Sequence, residues 1–251
     1  MLLVIDAGNT NITIGAYEGD ELLFTSRLAT DHHATRDRIA VDLASIFRLH
    51  EIDKTSFSGA IISSVVPEIS RALKEAVEKV TGQTPLMVGP GVKTGLNILT
   101  DNPAEVGADL VAVSVAAKHK YALPAIILDL GTATKAIALD RNGAFLGCSI
   151  APGIEISLNA LSNGASLLTN IGLRAPTHAI GTNTVMSARP DEIQVEIIDL
   201  NEKVNGFILT SDGLDGEIDL DYFRTEYTGR NMGVPVEFIA YANPPIWTFD
   251  D

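Results

Sequence analysis

The chain is poor in several things at once, and each shortage narrows what it can be. Cys148 is its only cysteine, so no disulfide can form within the chain, and a reducing cytoplasm is the expected compartment. No apolar run approaches the roughly 18 residues of a membrane span. The first residues lack a basic stretch and a small-residue cleavage site, so Met1 to Ile5 reads as a strand and not as a signal peptide. Basic residues are scarce: 18 Lys and Arg face 32 Asp and Glu, a net charge of −14. Such a surface repels a phosphate backbone, so nucleic acid is not an expected partner, and without an apolar span neither is a membrane. The shortage is uneven. Val185 to Asp251 holds 14 acidic and 4 basic residues, against 18 and 14 in residues 1–184, so the last quarter is compositionally distinct.

What remains is ordinary globular material, 46% hydrophobic and 20% charged, in 251 residues that suit one large domain or two small ones. Leu2 to Ile5 reads as a buried strand, Asn11 to Ala16 and Glu21 to Arg27 as the rest of a β-meander. Thr35 to His50 carries apolar residues at helical spacing. Gly59 to Val65 is a strand, Pro67 to Thr81 a helix, Pro85 to Val88 a short strand, and Pro103 to Tyr121 one long helix. The pattern then restarts. Ala125 to Asp129, Thr134 to Asp140 and Ala144 to Ile150 read as strands, with a hairpin turn at Asn142-Gly143. Val195 to Leu200, Gly206 to Thr210 and Val234 to Tyr241 read as strands between acidic turns.

Two stretches, LVIDAGNT at 3–10 and AIILDLGT at 125–132, each end a buried strand in Asp-x-Gly and lead into a hairpin. A strand holds its terminal side chain in place. A glycine beside it lets a phosphate approach the backbone, and turn N–H groups form an anion site. The aspartate, being negative, serves by holding a cation that the phosphate also binds. Thr10, Thr13, Thr132 and Thr134 supply hydroxyls nearby. One Asp-x-Gly-x-Thr is a common turn; two copies facing each other across a cleft point to a nucleotide site made by duplication.

The duplicated loop resembles the superfamily of actin, sugar kinases and acetate kinase, and within it the type III pantothenate kinases. The residues that carry the resemblance are DAGNTNI at 6–12, ISSVVP at 62–67, VGPGVKTGLNI at 88–98, DNPAEVGAD at 101–109, DLGTAT at 129–134, IAPGIEISLNAL at 150–161 and IGTNT at 180–184. They run in order from residue 1 to about 187; the tail is unmatched. The resemblance implies an α/β fold of duplicated ribonuclease-H-like domains, with mixed sheets and flanking helices. Residues 1–122 would be the first domain and 123–251 the second, atypical from about 188. It implies phosphorylation of pantothenate by ATP, the first step of coenzyme A synthesis. Asp6, Ala7, Gly8, Asn9, Thr10, Asn11, Ile12 and Thr13 would form the first phosphate loop, with Asp6 near Mg2+. Thr132 would touch ATP phosphate, and Asp129 would hold a monovalent cation, K+ or NH4+. Asp109 would be the general base on the pantothenate hydroxyl. Thr100, Gly107, Ala108, Leu110 and Thr184 would line the pantothenate pocket. A homodimer is also implied, and Ile150 to Leu161 is the candidate segment for helix-mediated pairing.

The chain departs from the family at several of these positions. Leu110 stands where the family has arginine, Leu99 and Thr100 where it has arginine and tyrosine, Val113 where it has asparagine, and Lys135 where it has threonine. An arginine fork is the natural partner of pantothenate's carboxylate, so weakened substrate binding is expected, with Lys93 and Lys135 as candidate replacements. Two other readings follow from these departures: a non-catalytic or regulatory relative that keeps the fold, and a kinase whose acceptor lacks a carboxylate. Other tempting residues have plainer readings. His32 and His33 read as exposed loop histidines, Cys148 as a small buried residue, Trp247 and Pro244-Pro245 as a packed terminus, and Asp212 to Asp221 as an acidic turn without EF-hand spacing. Without the GAD motif around it, Asp109 would read as a helix cap.

Overall fold

Alternating burial along Leu2–Ala7 makes β1 the centre of a sheet, with Leu3, Ile5 and Ala7 turned into the core. A computed structural model of the chain describes residues 1–164, 206–211 and 237–242. β2 (Asn11–Glu18) and β3 (Glu21–Ala29) complete an antiparallel meander with β1. β4 (Gly59–Ser64) and β5 (Leu86–Met87) join on the other side, parallel to β1, in the order β3-β2-β1-β4-β5.

Two helices cover this sheet. In α1 (Arg36–Leu49), Thr35 accepts the Arg38 N–H at 3.3 Å as N-cap, and Ile39, Leu43, Ile46 and Phe47 form the buried stripe. α2 (Pro67–Thr81) begins on a proline, which loses no helical hydrogen bond there, and ends on Gly82 in the left-handed region. Its Ile69, Leu73 and Val77 join the α1 stripe and the strand residues in one core. Each such side chain contributes about 1.5–3 kcal/mol by leaving water. On the outside, Lys79 Nζ lies 3.0 Å from Asp37 Oδ1, tying α2 to α1. Hydrogen bonds from Arg36 and then Lys79 hold the Asp37 carboxyl down at about 2.

The expected long helix over 103–121 is interrupted. Pro103–Glu105 forms a 3₁₀ turn, Val106 is extended, and α3 spans Ala108–Lys120. Gly107 starts α3 by accepting the Val111 N–H at 3.1 Å. The break puts Asp109 in the first turn of α3 and not in mid-helix.

Met1–Leu96 with Thr100–Ala116 forms one compact unit, and Asn97–Leu99 with the described residues from Ala117 onward forms another. The second unit repeats the first. β6 (Ala125–Leu130) is buried along its whole length and forms an antiparallel meander with β7 (Ala133–Leu139) and β8 (Phe145–Pro152). β9 (Gly206–Ser211) and β10 (Glu237–Ala242) add in parallel, giving β8-β7-β6-β9-β10. The two five-stranded sheets therefore have one strand order and one set of directions, the duplicated mixed α/β architecture expected. The strand expected from Val234 begins at Glu237, and the one at Val195–Leu200 lies outside the described residues. α4 (Ile154–Gly164) follows β8.

The β7–β8 turn is organised by Asp140, whose Oδ1 accepts the Asn142 and Ala144 N–H groups at 2.8 and 2.7 Å, with Gly143 in the left-handed region. Those backbone hydrogen bonds, Ala144's foremost, lower the Asp140 pKa. Cys148 is exposed, against the expectation of burial. β8 is an outer strand of its sheet and only its first residue, Phe145, is buried, so alternation along it does not lead into a core.

Candidate active site

The first loop grows out of the C-terminal end of β1. Asp6 pairs across the sheet with Thr13 of β2 on one side and Ser63 of β4 on the other. It is half-exposed, between the buried Ile5 and Ala7. The chain then turns tightly, with the Gly8 N–H donating to Asn11 O at 2.9 Å. A Cβ on Gly8 would stand 3.2 Å from that same oxygen, so glycine suits the turn. Asn9 and Thr10 are exposed at its tip, Asn11 and Thr13 half-exposed, and Ile12 anchors the returning strand in the core.

Thr30, which sequence reasoning passed over, holds this loop from outside. Its hydroxyl donates to Gly8 O at 2.7 Å, and its N–H donates to Thr10 O at 2.9 Å. His32 adds an Nε2 contact of 3.3 Å to Asn9 O, so its ring is exposed, as expected of a loop histidine, yet also touches the loop. Nothing local in the sequence marks Thr30; its role depends on β3 ending beside the β1–β2 turn. Thr30→Val removes the hydroxyl bond but keeps the backbone one. On the expectation that this loop holds nucleotide phosphate, it raises the half-saturating ATP concentration about three- to tenfold, from one lost hydrogen bond of about 0.5–1.5 kcal/mol, with the thermal midpoint nearly unchanged. Steady-state kinetics over ATP would check this.

The second loop is built alike on β6, but its chemistry differs. Asp129 is 8% exposed. Its cross-strand partner is Lys135, at the position that Thr13 occupies opposite Asp6. Lys135 Nζ lies 2.8 Å from Asp129 Oδ2, with the two side chains 16% and 12% exposed. Lys135 thus spends its charge on Asp129, which counts against it as the substitute for a carboxylate fork. Lys93, the other candidate, is exposed. The Gly131 N–H donates to Ala133 O at 3.2 Å, and Thr132 is exposed at the tip. Gly153, just ahead of α4, donates its N–H to Thr132 O at 3.1 Å and accepts the Ser157 N–H at 2.9 Å. A Cβ on Gly153 would collide with Gly131 O and Thr132 O.

Asp109 is half-buried in the first turn of α3, flanked by the buried Ala108 and Leu110. Its Oδ1 accepts the Leu110 N–H at 2.8 Å. A Cβ on Gly107 would run into that Oδ1, so Gly107 clears the space the carboxylate uses. The Thr100 hydroxyl is buried, with no hydrogen-bond partner among the described residues. Thr184 lies outside the described residues, as do Asp212–Asp221, Pro244-Pro245 and Trp247.

Among the described residues no group of three or more His, Cys, Asp or Glu side chains could hold a metal ion. Mg2+ bound with a nucleotide commonly takes one or two carboxylates and completes its shell with phosphates and water. Asp6, half-exposed at a strand end, fits as one such carboxylate. Among the described residues, no helix is long and apolar enough to cross a membrane.

A family model for type III pantothenate kinase matches residues 2–190. The type III pantothenate kinases of Listeria monocytogenes serovar 1/2a and Listeria welshimeri serovar 6b are each 43% identical to the chain over 187 residues. Each alignment covers 74% of this chain and 72% of the relative. Among solved structures, the ethanolamine utilization protein EutJ from Carboxydothermus hydrogenoformans is 13% identical, with a TM-score of 0.38 over 64% of this chain and 56% of that one.

Proposed function

Because the chain belongs to the type III pantothenate kinase family, we propose that it transfers the γ-phosphoryl group of ATP to the terminal hydroxyl of pantothenate, giving 4′-phosphopantothenate and ADP, the first step of coenzyme A synthesis. The observation that carries this is the 43% identity over 187 residues to enzymes named for that reaction. The cytoplasm is the proposed compartment.

Mg2+ bound with ATP neutralises phosphate charge and orients the transferring group; Asp6 is the carboxylate proposed to meet it. The Gly8–Asn11 turn and Thr132 are proposed to receive phosphate oxygens, their exposed tips supported by Thr30 and Gly153 respectively. Asp109 is proposed to accept the proton of the pantothenate hydroxyl. Ala108, Gly107 and Leu110 shape its surroundings, and Thr184 is proposed as a pantothenate contact from the family resemblance alone. The orphaned Thr100 hydroxyl supports a polar substrate contact there, since an unpaired buried hydroxyl is costly until a ligand satisfies it. Leu110 is 6% exposed and offers no charge to a carboxylate. Loss of one charge-assisted hydrogen bond, about 1.5–3 kcal/mol, would raise the half-saturating pantothenate concentration about ten- to a hundredfold above that of an arginine-bearing relative.

The test is ADP release with Mg-ATP, titrated with pantothenate. Saturable pantothenate-dependent release supports the reading. No stimulation at millimolar pantothenate would favour a non-catalytic relative, and stimulation only by an uncharged analogue would favour an acceptor without a carboxylate. The K+ or NH4+ ion implied at Asp129 meets residues that do not suit it, because Lys135 already supplies a cation there.

A homodimer is also proposed, paired through Ile150 to Leu161, which runs from the end of β8 into α4. These elements expose Leu146, Ile150, Ile156 and Leu161, large apolar side chains that gain from being covered. Sedimentation at micromolar concentration is expected to give a dimer, and a monomer there would refute the pairing.

A further inference from the structure

The duplication supplies an internal comparison. Opposite the loop aspartate of the first sheet stands Thr13, and opposite that of the second stands Lys135. Residues directly opposed on an antiparallel pair project to the same face, so a side chain at this position reaches its aspartate without rearrangement of the backbone. A threonine there is neutral. A lysine there delivers an ammonium group, and its Nζ is 2.8 Å from Asp129 Oδ2, the length of a charge-assisted hydrogen bond.

The surroundings favour a permanent pair. Every residue of β6 is buried, Asp129 included. A carboxylate in such a place needs a cation, because water cannot supply the lost solvation. A dissolved ion fills that need only in proportion to its concentration. A side-chain ammonium is present at all times, at the high effective concentration that tethering gives. A second monovalent cation at the same carboxylate would compete for Oδ2 and be repelled by Nζ a few ångströms away.

We propose that the Lys135 ammonium is a built-in replacement for a dissolved monovalent cation at Asp129, so that this chain neither binds nor needs K+ or NH4+ at that position. The inference rests on the kinase reading for its catalytic consequence, though not for the binding itself. Lys135 is thus a positioning residue, acting on the second loop through Asp129.

The test compares the full chain with Lys135→Thr in potassium chloride and in tetramethylammonium chloride at equal ionic strength. Thermal melts come first, because they need no activity. The parent midpoint is expected to be the same in both salts, and that of Lys135→Thr to rise by several degrees in potassium. Pantothenate-dependent ADP release is then measured in the same salts. The parent is expected to change less than twofold. Lys135→Thr is expected to be at least tenfold slower in tetramethylammonium and to recover in potassium or ammonium. A potassium-dependent rise in the parent's own midpoint, or a variant indifferent to potassium, would overturn the proposal. If neither protein releases ADP, the kinase reading fails while the melts still decide occupancy at Asp129. Should Lys135→Thr not fold in either salt, Lys135→Gln, which keeps most of the side-chain length without the charge, carries the same comparison.

Discussion

Asp109→Asn is expected to lower pantothenate-dependent turnover by about 10²–10⁴-fold, the range general-base catalysis contributes, while leaving the fold and ATP affinity in place. The substitution is conservative here for a specific reason. Oδ1 of Asp109 accepts the Leu110 N–H at the start of α3, and an asparagine oxygen can accept the same bond. Space at the site is unchanged, since Gly107 still presents no Cβ toward it. The change therefore removes the capacity to take a proton while an oxygen remains to accept the Leu110 N–H. Circular dichroism and the thermal midpoint should match the parent, and the loss should fall on kcat and not on the half-saturating ATP concentration. Turnover within threefold of the parent would remove Asp109 from the base role. A loss accompanied by a fall of several degrees in the midpoint would instead make it a structural cap of α3.

Much of the architecture was legible because its signals are local and repeated. Pro67 and Gly82 bracket α2 at both ends, and the apolar spacing of α1 points one way. Asp-x-Gly after a buried strand, written twice, anticipated two sheets of one topology. Apart from the break before α3, the misreadings share a cause: the deciding contact is between residues distant in sequence or depends on placement in the sheet. An Ala/Val-rich run concealed the break at Val106-Gly107, since periodicity alone does not register one extended residue. Cys148 reads as buried by composition, yet β8 is an outer strand. The clamp of Thr30 on Gly8 and Thr10 links the end of β3 to the β1–β2 turn, a proximity that only the folded meander creates. Lys135 was visible as a departure from the family. Its partner was not, because the cross-strand register that sets it opposite Asp129 depends on the length of the intervening turn.

Gly153 gives the other large effect, and its sign separates two accounts of the residue. A glycine replaced by alanine at an unstrained position usually stabilises a protein by about 0.4–1 kcal/mol, because the unfolded chain loses freedom. If Gly153 merely opened α4, Gly153→Ala would thus leave the midpoint level or raise it. The geometry predicts the reverse. Its added methyl would collide with Gly131 O and Thr132 O, backbone atoms of a tight turn. That turn is held by the Gly131 N–H bond to Ala133 O on one side and the Gly153 N–H bond to Thr132 O on the other. Backbone cannot rotate aside as a side chain can, so either α4 must withdraw or the Thr132 loop must deform. Overpacking of this kind costs about 1–3 kcal/mol, or several degrees in the midpoint for a chain of this size. The kinetic cost is expected to be larger, since a displacement of about 1 Å in a positioning loop can cost 10²-fold. Turnover at saturating pantothenate should therefore fall further than the stability loss alone implies, with a raised half-saturating ATP concentration. A Gly153→Ala protein of unchanged midpoint and unchanged ATP dependence would show that the α4 start can retreat freely, and that the second loop is not braced by it.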